Sequence, residues 1–437
     1  MKTFIKTSFS AALAVFGWNH SLQSADLCVA EFGAGGCYAT ITAALAAAND
    51  GDRILIVPKP GLAPYAEALT INKSVTLMSN VEGEMWAVAG TITIVPAVGR
   101  KVTIMHMHSA NGDITASGNS PAGARCEVNI VNCEFAAGNV NFDYNYFNLN
   151  LISSKILNGH VRYRFGNLIG NEITSGSLSA MYYWYGYSTV YLNTDVQSTN
   201  DTLYFVGNIV RTHASSSTLY DIVGFATTSQ FVHAYNNYVA ATNTFGYSGY
   251  HLSGINFLYH KASTAGTNIV ENNTFYFNPN NQYYTYPVYV STNASTSNFD
   301  VRNNVSWAPN LSSPGSYHLY RFAGTTTSVS LYYNHASPSG GLNGIANNGT
   351  NNLNSNTTFN TTTAVLNSGS QAINGGHPGP HYYDLDLSTN DAGARGGSFS
   401  LENFHPITGA ARVYFVKAPR SLPQNYQLNL RAYSFDR

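Results

Sequence analysis

An asparagine returns at one place in a short β-like pattern throughout this chain. It sits in Val131-Asn132-Cys133, Gly170-Asn171-Glu172, Gly207-Asn208-Ile209, Asn236-Asn237-Tyr238, Asn272-Asn273-Thr274, Asn303-Asn304-Val305 and Tyr333-Asn334-His335. Successive members lie 29 to 39 residues apart, and Ser154 divides the longest step. A unit of this length cannot bury its apolar face alone, so its copies must stack. Amides repeated at one turn then bond to one another along the stack, as in Asn ladders of cross-β assemblies. The ladder residues Asn132, Asn171, Asn208, Asn237, Asn273, Asn304 and Asn334 are expected to be internal and structural.

Strand signals lie between these positions. Arg53–Val57, Leu69–Leu77 and Thr91–Val95 alternate β-branched and polar residues, the period-two pattern. Residues 38–48 (YATITAALAAA) read as a helix, with Thr40 as its cap and Asn49-Asp50-Gly51-Asp52 as its stop.

The composition narrows the partners. Charged residues make up 10% of the 437, against roughly 25% in an average globular protein. The net charge is −1, so there is no electrostatic case for nucleic acid or an anionic membrane. Tyr is abundant, at 31. A surface of hydroxyls and amides suits neutral sugars or close contact between proteins, self-assembly included.

The first 25 residues read as a secretory signal. Lys2 and Lys6 precede an apolar stretch from Phe9 to Trp18, and small residues follow at Ser24-Ala25. That stretch is too short to span a bilayer, which takes ~20 residues, and the mature protein is expected to be secreted or held at the cell surface. In that setting Cys28, Cys37, Cys126 and Cys133 are expected to form two local disulfides, Cys28–Cys37 and Cys126–Cys133.

The run YATITAALAAANDGDRILIVP, followed by YAEALTINKSVTLMSN, resembles the amino-terminal cap and first coils of secreted right-handed parallel β-helix proteins of the pectin-lyase-like superfamily. The segment from Ala372-Ile373-Asn374-Gly375-Gly376 to Ala394-Arg395-Gly396-Gly397 is similar to the closing motif of many bacterial surface β-helix proteins. The resemblance implies an all-β, single-stranded right-handed parallel β-helix with an N-terminal capping helix and a small C-terminal β appendage. The expected divisions are a signal at 1–25, a cap at 26–60, the helix at 61–400 and terminal strands at 401–437. The superfamily holds lyases, hydrolases, epimerases, adhesins and structural proteins, so fold does not give activity.

Four constellations bear on chemistry. In His160-Val161-Arg162-Tyr163-Arg164-Phe165, period two sends Val161, Tyr163 and Phe165 inward and His160, Arg162 and Arg164 outward. With Arg211 from a later coil, these could serve a β-elimination lyase, which must neutralise a uronate carboxylate and remove a proton. A solvated strand face is the plainer reading. Asn193-Thr194-Asp195 matches the first motif of polygalacturonase-type hydrolases, whose later motifs are absent here; Asp201 and Asp221 are the loose partners for Asp195. Tyr183, Trp184, Tyr185 and Tyr187 are too densely packed in sequence to share one core, and exposed rings stack on sugar faces. The long loops 181–201, 243–262 and 279–296 are where binding is expected. His377, His381, Asp384, Asp386, Asn390 and Asp391 are rich in oxygen ligands, and Ca²⁺ is the one cofactor they suggest; a turn-rich cap with Asx bonds is the stronger reading, with no metal.

No catalytic set is complete. The sequence therefore favours a non-catalytic β-helix protein that binds glycans or other proteins or builds extracellular matrix. A polysaccharide lyase is the alternative, ahead of a glycoside hydrolase or epimerase.

Overall fold

A computed structural model describes residues 24–175, 188–193, 201–213, 221–226, 230–244, 251–258, 263–279, 284–290, 297–309, 317–322, 328–337, 340–343, 352–353, 356–405, 413–417 and 431–434. The chain winds into a parallel β-helix. Three parallel sheets of 12, 11 and 11 strands run its length, and neighbours within each sheet belong to successive coils. One coil shows the plan. Cys126–Val131 lies in the first sheet, Glu134–Phe135 in the second and Val140–Phe142 in the third; Phe147–Ile152, Lys155–Ile156 and Val161–Tyr163 stack on them in register.

Each strand alternates a core residue with an outward one. Val102, Val128, Leu149, Val140 and Val161 are fully buried in one continuous core. Farther along, Phe205, Phe225, Phe257, Phe299 and Phe322 form an inner series of rings with centroids 5.0–6.1 Å apart. Tyr163 is also fully buried, and its hydroxyl has no hydrogen-bond partner. An orphaned buried hydroxyl costs about 1–3 kcal/mol. Tyr163→Phe is therefore expected to raise stability by about 1 kcal/mol, read as a later midpoint in urea unfolding.

The turn from first to second sheet explains the asparagines. Its first residue is left-handed in coil after coil: His106, Asn132, Ser153, Gly170, Gly207, Asn236, Asn272, Asn303 and Tyr333 all have φ between 46° and 66°. Glycine and asparagine tolerate this region best. The next residue turns inward. Asn171, Asn208, Asn237, Asn273, Asn304 and Asn334 are fully buried there. Each Oδ1 accepts from the preceding member: Asn208 donates both its backbone N–H and its Nδ2 to Asn237, each at 2.9 Å. Asn237 does the same to Asn273, Asn273 to Asn304, and Asn304 to Asn334.

Asn132 is not part of this ladder. It holds the left-handed position one residue earlier, and Cys133 takes the inward one. Cys133 N–H donates to Ser154 Oγ, which stands in for the amide in its coil, and Ser154 N–H donates to Asn171 Oδ1.

Cys28 and Cys37 are disulfide-bonded, whereas Cys126 and Cys133 are free and buried, which corrects the second expected pair. The extended strand Cys126–Val131 separates them. At ~3.3 Å per residue it spans about 16 Å, well beyond the ~7 Å Cα limit of a disulfide. Burial pushes the Cys133 thiol up to about 12. A thiol reagent at pH 8 is expected to find no reactive cysteine in the native protein and two in denaturant.

The helix Ile41–Ala47 is capped by Thr40, whose side chain accepts from Ala43 N–H, and Ile41, Ala44 and Leu45 are buried against the first strands. At the other end, the last strand of the three sheets is Asn352–Leu353. Residues 356–405 add no strand to these sheets, so the coils stop well short of residue 400. Instead this segment forms a strap that packs on the outer side of the second sheet, burying Phe359, Ala364, Ala372, Ala392, Ala394 and Leu401 against Ile209, Tyr238, Tyr276 and Val305. Val413–Lys417 and Arg431–Ser434 pair antiparallel as a separate two-stranded sheet.

Candidate functional site

The expected cationic site is divided between two sheets. Arg162 lies in the third sheet, in register with Asn141 and Tyr191. Arg211 lies in the second, in register with Thr174 and Ala240. Its Nη1 donates to Glu172 at 2.8 Å and its Nη2 to Thr362 O of the strap at 2.7 Å. Arg164 sits past the end of its strand, with Nε on Asp143 at 2.8 Å and Nη1 on Asn145 at 2.6 Å. Asn193 Nδ2 also donates to Asp143, at 3.0 Å. Phe165 does not continue inward, because the strand ends at Tyr163; the Arg125 guanidinium lies 3.6 Å from its ring centroid. His160 is partly buried, and burial together with Arg162 lowers its pKa. The structure thus brings His160, Arg162 and Arg164 to one side and leaves Arg211 on another.

Tyr183, Trp184, Tyr185, Tyr187 and Asp195 lie outside the described residues, as do most of the loops 181–201 and 279–296 and half of 243–262. Asp201 is exposed just before a first-sheet strand, whereas Asp221 begins a strand of the third sheet.

The oxygen-rich segment of the strap uses its carboxylates as turn acceptors. Asp384 accepts from Gly397 N–H at 2.6 Å and Asp391 N–H at 2.9 Å; Asp391 accepts from Asn374 N–H, and Asp386 from Ser388. Asn390 Oδ1 accepts from Asn272. Burial raises Asp384 to about 6, outweighing these amides. Among the described residues there is no group of three or more His, Cys, Asp or Glu side chains placed to hold a metal ion.

The outer face of the third sheet carries a feature that motif reading missed. One outward residue per coil forms a file: Thr70, Thr93, Thr115, Asn141, Arg162, Tyr191, Gly224, Asn256, Tyr289 and Arg321 are neighbours in register. From Tyr191 to Arg321 each is flanked by two core residues, for example Ile255 and Phe257 around Asn256. That alternation fixes the file as outward. It could have been read from Val190-Tyr191-Leu192, Val223-Gly224-Phe225, Ile255-Asn256-Phe257 and Val288-Tyr289-Val290, had the coils been aligned on their apolar pairs.

Polar groups gather at the middle of the file. Asn256 Nδ2 donates to Asp221 Oδ1 at 2.8 Å, both residues being buried. Burial pushes the Asp221 carboxyl up to about 6, against the hydrogen bond from Asn256. Beyond them Tyr286 and Tyr289 stack with centroids 5.2 Å apart, and the Arg321 guanidinium lies over both rings. Arg321 Nη1 also donates to the Tyr286 hydroxyl. The outer face of the first sheet is tied up differently: Asn167 donates to Asn150, Asn150 to Asn129, and Asn129 to Thr103.

No protein-family model, curated protein or solved structure matches the chain. The three parallel sheets define it as an all-β protein of parallel β-helix class. Among the described residues, no helix is long and apolar enough to cross a membrane.

Proposed function

We propose that this chain is an extracellular, non-catalytic β-helix protein of pectin-lyase-like architecture that binds glycans along the outer face of its third sheet. The observation that carries the reading is the file of hydroxyls, amides and rings from Thr70 to Arg321. Strands repeat about every 4.8 Å along the helix, so the exposed and half-buried members Thr70, Thr93, Thr115, Asn141 and Arg162 present evenly spaced hydrogen-bonding groups to a linear chain of sugars. Rings that offer an apolar face and an amide or hydroxyl beside it suit sugar rings, which are apolar on one face and polar at the rim. The Cys28–Cys37 disulfide fits an oxidising compartment.

The lyase reading is weakened because Arg211 is held by Glu172 and the strap, away from His160, Arg162 and Arg164. A β-elimination leaves an unsaturated product that absorbs in the ultraviolet. Polygalacturonate, alginate and glycosaminoglycans are expected to yield none, with or without Ca²⁺. Product formed by the wild type and lost in Arg162→Ala would overturn the non-catalytic reading.

A further inference from the structure

The middle of the strap is fastened to the last coils through two imidazoles, and both attachments require neutral rings. His335 follows the last ladder asparagine and is fully buried. Its Nε2 lies 3.0 Å from the carbonyl oxygen of Gly375, so Nε2 carries the hydrogen and donates. The strap backbone passes close over this ring, since a Cβ on Gly375 would come within 2.8 Å of Nε2. His377, two residues on, donates its backbone N–H to Asn303 Oδ1 at 2.9 Å. Its Nδ1 accepts from Gly379 N–H at 3.0 Å, as an asparagine oxygen does in an Asx turn. The ring packs against Tyr382 and Tyr333, with centroids 4.4 and 5.1 Å away. Nδ1 can accept only while it is unprotonated. A second proton on His335 would charge a ring closed to solvent, and burying a charge is costly.

We infer that residues 375–379 are an acid latch: protonation of His335 and His377 lifts this part of the strap from the last coils. Charged groups from each packed element bear on it. Arg302, on a first-sheet strand, donates to the Tyr382 hydroxyl and lies over its ring, so a second cation at His377 meets repulsion. Asp300 is bonded to Arg302. Glu271, one coil earlier, favours the protonated ring, but burial and Arg302 outweigh it and hold His377 below the ordinary histidine range. Burial lowers His335 too, against its bond to Gly375. Its neighbours in register, Val305 and Asn352, are uncharged. A histidine lowered in the folded state contributes stability that is complete above the unfolded value of ~6.5 and is lost as pH falls through the folded one. Two strap carboxyls have the opposite sign. Asp391 accepts from Asn374 N–H beside the latch and is raised by burial, and Asp384 is raised to about 6. Their cost is present above the folded value and is relieved as pH falls toward the unfolded ~3.9. The turn from 384 to 397 is therefore favoured over the range in which the latch loosens, and the opening stays local.

The test is amide hydrogen exchange of the full chain at about pH 8 and about pH 5, corrected for the intrinsic pH dependence of exchange. In the wild type, exchange at the His377 and Gly379 amides is expected to rise at least ~tenfold in acid, while the Asn208 amide of the ladder stays slow. The double variant His335→Gln, His377→Asn keeps a side-chain donor for Gly375 O and an acceptor for Gly379 N–H, and neither new side chain titrates. Its latch amides are expected to stay protected at both values. Wild type that is equally protected in acid overturns the latch. So does a double variant that opens in acid as wild type does, because the carboxyls would then control the strap. Titration of the two imidazoles in the wild type, read from exchange at their ring C2 hydrogens, needs no variant to fold. Each is expected to take its proton below the ordinary ~6.5, and titration of either at or above that value overturns the proposal.

Discussion

Asn237→Ala is expected to destabilise the protein by about 4 kcal/mol, since each buried polar group left without its partner costs about 1–3 kcal/mol. Four bonds meet at this side chain. Its Nδ2 donates to Phe205 O and Asn273 Oδ1, both at 2.8 Å, and its Oδ1 accepts from the backbone and side chain of Asn208. Alanine removes the acceptor of the buried Asn208 N–H and one donor to Phe205 O. It also leaves a gap in a stack with no solvent to fill it. Asn237→Ser is expected to lose less, because Ser154 does the same work in its own coil, accepting from Cys133 N–H and donating to Ile152 O. The loss should be read both as a lower urea midpoint and as faster hydrogen exchange at the Asn208 amide. Nearest-neighbour coupling in a solenoid predicts that exchange rises most in the coils on either side. A cost below about 1 kcal/mol, the net worth of one ordinary hydrogen bond, would mean that the ladder does not hold the turn.

The parallel β-helix was legible because its cause is periodic. A buried amide must be paired, and pairing it with its own copy in the next coil demands a repeat. What the repeat hides is which asparagine of a pair turns inward. In Asn236-Asn237 the first residue is left-handed and the second is in the ladder. In Val131-Asn132-Cys133 the only asparagine takes the first position, so a reading keyed to asparagine lands one residue early. The Cys126–Cys133 pairing failed for a related reason. A seven-residue separation looks local until the strand between the two is drawn at full extension. The file on the third sheet was hidden because its members share no chemistry. Threonine, arginine, tyrosine, glycine and asparagine occupy one column, and only the apolar pairs around them mark it.

The strap was the least legible element, since many of its partners lie over a hundred residues away. Arg211 bonds Thr362, Tyr238 bonds Thr361, and Asn236 bonds Ala394 and Gly396. These contacts give the left-handed position a second use. Where the strap backbone passes, that position holds asparagine, whose side chain reaches outward: Asn272 donates to Asp391 O at 2.9 Å, and Asn303 accepts from His377 N–H at 2.9 Å. Where the strap lays a ring on the corner, the position holds glycine. The Asn-Asn pairs therefore face both ways, one member binding the strap and the other the ladder.

Phe404→Ala is the second large effect, expected to release the carboxyl end of the strap at a cost of about 3–5 kcal/mol, the usual range for a buried phenylalanine. Phe404 is 3% exposed and packs with Ile152, Ile169, Val206 and Tyr235. Its ring lies over Gly170 and Gly207, where a Cβ would meet it at 2.9 Å in the first case and run into it in the second. His405 Nε2 donates to Gly207 O at 2.9 Å just beyond. The coils keep their own ladder and core, so the expected result is local: limited proteolysis cuts within 356–405 while hydrogen exchange at Asn171 and Asn208 stays slow. Gly207→Ala attacks the same contact from the other side and adds about 1–2 kcal/mol for a side chain in the left-handed region, at φ 63°. The two substitutions should not add. Once the ring is gone, Gly207→Ala is expected to keep only its backbone cost, so the double variant should be at least ~1 kcal/mol more stable than the sum of the singles predicts. Strict additivity would mean that the ring and the glycine do not meet in solution, and that something other than Phe404 seats the strap on the corner.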